Sequence, residues 1–371
     1  MIYFDNAATG GRKPDTVLTA VSSAIKVCAN PGRGGHKLAI AAAKNVLACR
    51  KELSDFFDGY GAERVVFTKN CTEALNIALL GVLKKGDHVI TSVMEHNSVL
   101  RPLAYLQETG VIEYDACPLT NGNVTPENIL PLLRKNTRLV AISLASNVTG
   151  AMPNVHKIRA ALPKHVLLLC DGAQAGGHIP VSMKRTGIDM LALAGHKGLL
   201  GIQGSGALLF SERVTPAPVY RGGTGSLSVS LDMPDFYPDA LEAGTLSYPA
   251  ILSLLEGVRH LALRQQEISQ RLYSLTAYCI ERLRQLTAYE VYSQPNECGI
   301  VAFKHTQTDS DILAETLSEK YDIATRGGLH CAPLMHEALN TSPSGLVRAS
   351  FSHYNSEQEI NELLFALTLI K

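Results

Sequence analysis

Lys197 stands in Ala194-Gly195-His196-Lys197-Gly198, directly after the apolar run Met190–Ala194. Most lysines are solvated surface charges. Glycine neighbours at the end of a strand-like run let a ligand approach the backbone closely, and a lysine placed there can form a Schiff base. Pyridoxal phosphate is the cofactor that uses such a lysine. It also needs an acidic partner for its pyridinium nitrogen and a cradle for its phosphate. Asp171 can hold the pyridinium protonated, and Gln174, three residues on, can bond the ring's phenolic oxygen. His96 offers a ring to stack on the cofactor face. Thr72, with the N–H groups opening its helix, suits a phosphate, and His196 adds a donor. Taken alone, Asp171 reads equally well as a turn cap, Thr72 reads better as an N-cap, and His96 is weak. Their weight lies in arriving together, each just after a strand-like run.

A second chemistry belongs to Cys331, in Arg326-Gly-Gly-Leu-His-Cys-Ala-Pro. Positive neighbours lower a thiol pKa and raise its thiolate fraction. The adjacent His330 and nearby Arg326 are candidates for that charge. Gly and Pro mark the segment as irregular and exposed; a buried structural thiol is the alternative. The other seven cysteines, at 28, 49, 71, 117, 170, 279 and 298, show no CxxC pair or zinc-finger spacing. Cys170, in VLLLC, is the clearest core thiol. Unpaired, scattered thiols point to a reducing compartment, most simply the cytoplasm.

The elements that must place these groups are legible as a pattern. Val65–Thr68, His88–Val93, Leu139–Leu144, Val166–Cys170, Met190–Ala194 and Ala207–Phe210 read as strands. Helical stretches such as TEALNIALLGVL separate them, with Thr72 as the expected cap. Alternation of this kind predicts a mostly parallel sheet with crossover connections, and ligands bind beyond the carboxyl ends of such strands. The last third changes character. Pro249 opens a long amphipathic helix to about Leu286. Ile300–His305 and Leu346–Ser352 read as strands and Ser310–Tyr321 as a helix. Ser356 with Glu359 forms a capping box. The chain thus divides into a large domain, 1–250, and a smaller α+β domain, 251–371, with residues 1–14 expected to pack toward the smaller one.

Composition narrows the function classes. The chain has 371 residues, 46% hydrophobic and 18% charged, which is globular rather than disordered composition. Lys plus Arg and Asp plus Glu are 34 each. That balance lacks the basic excess of a nucleic-acid binder. No apolar run reaches the roughly 18 residues of a membrane span. No basic segment followed by an apolar one opens the chain, so no signal peptide is expected.

The segments YFDNAATG, NCTEALN, EHNSVLRPL, SNVTGAMPN, DGAQAGGHIPV, AGHKGLLG, EAGTLSYP, TRGGLHCAPLMH and GLVRASFSHYN run from residue 3 to about 355. Together they resemble the cysteine desulfurase and selenocysteine lyase family, in the class V aminotransferase branch of fold type I pyridoxal-phosphate enzymes. The resemblance implies a seven-stranded-type sheet flanked by helices. It implies Lys197 as the Schiff-base lysine, Asp171 and Gln174 as ring partners, and His96 as the stacking ring and an acid/base. Thr72, Cys71, His196 and, from a neighbouring subunit, Thr245 fall at phosphate positions. Asn147 and Arg348, assisted by Arg326 and His36, fall at the substrate carboxylate; an Arg fork suits that group. Cys331 becomes the sulfur-accepting nucleophile that passes a persulfide to an acceptor protein, and a homodimer is expected. The loop before Pro333 is short, which in the family leans toward direct transfer to a docked acceptor. Two positions depart from the family: Cys71 and Ala194 stand where hydroxyl residues commonly help hold phosphate, so either cofactor binding is weaker or backbone and water contacts compensate. L-cysteine or selenocysteine as substrate, another β-elimination or aminotransfer, and a binding role without catalysis all remain open. So does the sulfur's destination, whether iron–sulfur cluster assembly, tRNA thiolation or cofactor biosynthesis.

Overall fold

The computed structural model describes residues 1–27, 30–32 and 34–370. Cys28 lies outside them. The chain opens with a short strand, β1 (Ile2–Tyr3), and two helices, α1 (Asp15–Val27) and α2 (Lys37–Phe56). The central sheet follows: β2 (Val65–Thr68), β3 (Asp87–Ser92), β4 (Ile112–Cys117), β5 (Thr137–Ser143), β6 (Leu167–Asp171), β7 (Met190–Ala194) and β8 (Gly206–Phe210). Its strand order is β2-β8-β7-β6-β5-β3-β4. All run one way except β8, which lies antiparallel to both its neighbours. Helices α3 (Cys71–Val82), α4 (Asn97–Glu108), α5 (Pro126–Ile129), α6 (Val155–Ala161) and α7 (Met183–Thr186) connect the strands.

The sheet is buried on both faces. Along β6, Leu168 and Cys170 enter one apolar layer, and Leu167 and Leu169 the other. This period of two inside a continuous apolar run is the signature of a strand covered by helices on each side. Strand β4 escapes the sequence pattern for the opposite reason. It is an edge strand whose Glu113 and Asp115 pair with Arg134 instead of entering the core; edge charges of this kind discourage further strand pairing.

Helix α8 (Tyr248–Leu283) is 36 residues, about 54 Å at the usual rise. It packs on α1 and α2 and, further along, on α11 (Glu357–Leu369). Beyond it lie β9 (Tyr289–Val291), β10 (Ile300–His305), α9 (Ser310–Tyr321), β11 (Ile323–Ala324), α10 (Pro333–Ala338) and β12 (Val347–Ser350). Strands β9, β10 and β12 form an antiparallel sheet, while β11 pairs in parallel with β1. The N-terminal segment is therefore stitched into the C-terminal lobe. The capping box ahead of α11 forms as its sequence suggests: Glu359 N donates to Ser356 Oγ at 3.2 Å, and Ser356 N to Glu359 Oε2 at 2.7 Å. The cap of α3 does not. Asn70 takes it, accepting from Glu73 N, and Thr72 lies one residue inside the helix.

One buried ion pair ties the large lobe's outer helix to its sheet. Arg50 of α2 grips both carboxylate oxygens of Glu242, whose Oε1 also accepts from Phe67 N at 2.6 Å. Arg50→Ala strands a buried carboxylate, so unfolding free energy falls by about 3–5 kcal/mol in denaturant titrations.

Candidate active site

Five strand ends, of β2, β3, β5, β6 and β7, open onto one edge of the sheet, and a pocket lies there. Cys71, Thr72, His96, Asn147, Asp171, Gln174, His196 and Lys197 all line it. The two turns carrying Gln174 and Lys197 touch backbone to backbone. A Cβ at Gly198 would stand 2.3 Å from the Gly176 carbonyl, and one at Gly177 only 2.2 Å from the Gly198 carbonyl. Glycine is what allows that approach.

The pocket wall is electrostatically tuned. Desolvation, and then the charge of Arg348, push the Lys197 ammonium down, favouring the neutral amine. Burial holds His196 at about 4, reinforced by Lys197 and Lys13. His96 is lowered chiefly by burial, and its Nδ1 accepts from Ser98 N at 3.0 Å, so the neutral ring carries its proton on Nε2. Ser98 also lies 2.8 Å from Thr72 Oγ1, linking the two. Sequence reading passed over Ser98; its sign was its place two residues after His96. Asp171 is the last residue of β6 and buried, and its Oδ1 accepts from Ala173 N at 2.8 Å.

The two departures fall differently. Cys71 Sγ lies 3.4 Å from Asp171 Oδ1, and burial with that carboxylate's charge drives its thiol well up. Its side chain therefore lies at the Asp171 end of the pocket. Cys71 opens α3 and reaches the end of β6, in the same pocket lining as Thr72 and His196. Ala194, at the end of β7, lines the pocket without a polar atom.

Other candidates sit around the mouth. Cys331 is exposed, with Arg326 Nη2 at 3.8 Å from its sulfur. His330 does not supply the charge expected of it. It is buried and lowered to about 2, with Nε2 bonded to the Arg326 carbonyl and its ring stacked on His336. Arg326 is the cation whose contact with the thiol is direct among the described residues. The loop hangs on the pocket: Asn97 N donates to Cys331 O and Asn147 Nδ2 to His330 O, both at 2.7 Å. Arg348, 1% exposed, donates to Asn147 O at 2.8 Å and to Asp5 Oδ1 at 3.1 Å. Two expected residues lie apart. His36 caps its own helix α2 through Ala39 N, and its exposed ring does not line the pocket. Thr245 borders a different cavity with Lys69, Glu73 and Tyr220. Cys49, Cys117, Cys170, Cys279 and Cys298 are buried.

Glu95 lies behind the pocket, fully buried, clasped by Ser92 Oγ at 2.5 Å and Ser143 Oγ at 2.6 Å. Burial raises its carboxyl from 4.5 to about 7 against the pull of both serines. The folded chain thus binds an extra proton between those values, and stability falls as pH rises through them, by roughly 3 kcal/mol. Glu95→Gln removes that slope, so urea unfolding compared at about pH 5 and pH 8 gives a variant that gains on the wild type at the higher pH.

A lysine, an aspartate, an imidazole and a helix N-terminus thus share one edge of a mostly parallel sheet flanked by helices, the architecture of the fold type I class. The comparisons agree. Residues 2–363 match the Aminotransferase class-V family. A probable cysteine desulfurase from Methanothermobacter thermautotrophicus is 33% identical, covering 98% of this chain and 92% of its own. The cysteine desulfurase of Yersinia pestis (strain Pestoides F) is 31% identical over 100% and 93%. Among solved structures, the apo cysteine desulfurase of Thermococcus onnurineus superposes with a TM-score of 0.89 at 30% identity, covering 99% of this chain and 93% of that one. An Escherichia coli cysteine desulfurase in an S-sulfonic acid form gives 0.87 at 26%, over 99% and 94%. The chain belongs to the class V aminotransferase family, in its cysteine desulfurase group.

Proposed function

We propose that this protein is a pyridoxal-phosphate-dependent cysteine desulfurase, taking L-cysteine to L-alanine and loading the sulfur on Cys331. The cofactor fits the residues present. Gln174 Oε1 is buried in the pocket region without a partner, a polar atom whose cost is relieved by a polar ligand. Lys197, Asp171, Gln174 and His96 would hold the ring, and Thr72, His196 and the opening N–H groups of α3 its phosphate. Bound there, pyridoxal phosphate supplies an electron sink at the substrate's Cα.

The chain's own groups do the rest. Arg348 takes the substrate carboxylate through its unpartnered, buried Nε. Lys197, biased toward the free amine, accepts the Cα proton. Cys331 Sγ bonds to the substrate sulfur as the substrate's C–S bond breaks. That bond's electron pair stays with Cβ, which takes a proton to become a methyl group; Cα takes back the proton Lys197 held, and alanine leaves. Arg326 Nη2, 3.8 Å from the Cys331 sulfur, is placed to orient it for the transfer. The persulfide then passes to an acceptor protein. Thr245 faces away from this chain's pocket, which supports a homodimer in which it serves the neighbour's.

The observation that carries this reading is the single exposed cysteine among the described residues, beside an arginine, on a loop hydrogen-bonded to the pocket wall. The test is reconstitution with pyridoxal phosphate, followed by L-cysteine. The expected result is a visible absorbance band that changes with cysteine, equimolar alanine, and a persulfide on Cys331 by mass spectrometry. A colourless protein forming no alanine would sink it.

A further inference from the structure

Arg348 is more than a buried cation with a partner. A guanidinium has five N–H donors. Nη1 donates to Asn147 O and Nη2 to Asp5 Oδ1, while Nε is buried with no acceptor. A purely structural arginine in so dry a place is expected to be fully satisfied. A spare donor of this kind suits the carboxylate that the proposed reaction needs anchored, and Asp5 is the anion already beside the guanidinium.

The fold holds Asp5 there firmly. Its carbonyl accepts from Ala8 N at 3.1 Å and from the Tyr3 hydroxyl at 3.2 Å. On either side, Ser350 N donates to Phe4 O at 2.6 Å and Asn6 Nδ2 donates to Ser350 O at 2.9 Å. Ser350 is two residues from Arg348 on β12, so the N-terminal segment and the arginine share one frame. The same segment reaches the opposite wall: Gln174 Nε2 donates to Ala7 O at 3.1 Å, and Gly10 N and Lys13 Nζ donate to His196 O at 3.0 and 2.9 Å. Asp5 is thus fixed against both lobes, with a side chain 23% exposed against 1% for Arg348.

We propose that Asp5 is a positioning and specificity residue: it fixes Arg348 and cancels its charge, so the anchor accepts one carboxylate and disfavours a second anionic group. This rests on Arg348 being the carboxylate anchor of the proposed desulfurase. With Asp5 in place, the pair is neutral. A single α-carboxylate is then held by directed hydrogen bonds, and a dianionic amino acid such as cysteine sulfinate gains no net charge from this pair, only what Arg326 on the adjoining bridge supplies. Removing one partly screened negative charge changes anion binding by about threefold to tenfold.

Asp5→Asn keeps an oxygen acceptor and removes the charge; Asp5→Ala removes both. In the holoenzyme, Asp5→Asn is expected to lower KM for L-cysteine about threefold to tenfold, with the change in KM rather than kcat. In titrations followed by visible absorbance, it strengthens cysteine sulfinate more than L-alanine, because the lost charge acted on two anionic groups. Asp5→Ala frees the guanidinium to turn, and KM rises. An Asp5→Asn enzyme whose KM rises as in Asp5→Ala, or whose sulfinate-to-alanine preference is unchanged, overturns the proposal. Melting curves show whether both variants are folded, and failure of Asp5→Asn alone to fold would make Asp5 structural and overturn it too. Arg348→Lys separates the underlying reading: if it binds L-alanine as the wild type does, Arg348 is not the anchor, whatever Asp5 does.

Discussion

Lys197→Ala is expected to lower alanine formation from L-cysteine by about a thousandfold or more, the scale at which a positioned proton-transfer group contributes. No other amine stands ready to replace it. Lys13, lowered by burial to about 8, is the other lysine near the turn, but its Nζ is bonded to the His196 carbonyl, behind Lys197. Lys197→Arg should not rescue, since a guanidinium does not give up its proton. Lys197→Ala leaves folding intact or improves it, because desolvating an ammonium costs stability that alanine does not incur. Alanine production under single turnover, read with melting curves, is the measurement. A variant retaining a tenth of wild-type activity would remove Lys197 from the chemistry.

Much of this architecture is readable in the sequence, for definite reasons. Strands β6 and β7 show as apolar runs because both faces are covered, and the polar groups after them fall at one sheet edge because parallel strands end together. The capping box at Ser356 shows because it is local. What escaped is what depends on partners distant in sequence. Strand β4 carries charges suited to an edge, and nothing in IEYDAC reveals that position. The roles of His330 and Cys71 turn on burial and direction. One looks like a cation beside a thiol and is a buried neutral ring; the other looks like a lost phosphate ligand and bonds Asp171. Asp5 could not be joined to Arg348 without the fold, since 343 residues separate them.

Cys331→Ala carries the second large effect, and it separates substrates. With L-cysteine, alanine formation should fall by at least about a hundredfold. Without a thiolate aligned on the substrate sulfur, that sulfur has no acceptor in the site, and solvent thiols lack the advantage of proximity. The lesion should be selective. Cys331 is exposed, its backbone carbonyl is the part bonded to Asn97 N, and alanine keeps that bond. Pocket residues are untouched, so cofactor absorbance and melting temperature should match the wild type. Cys331→Ser, isosteric but a far weaker nucleophile, should be equally inactive, which excludes a packing explanation. Selenocysteine is the decisive comparison, because selenium departs from carbon more readily than sulfur. If selenocysteine turnover survives in Cys331→Ala while cysteine turnover is lost, the thiol serves sulfur abstraction alone and the pocket retains lyase capacity. If alanine formation from cysteine is undiminished, Cys331 is not the nucleophile. The arginine beside it, Arg326, would then be left without its proposed task, and the sulfur acceptor would have to be sought in solution.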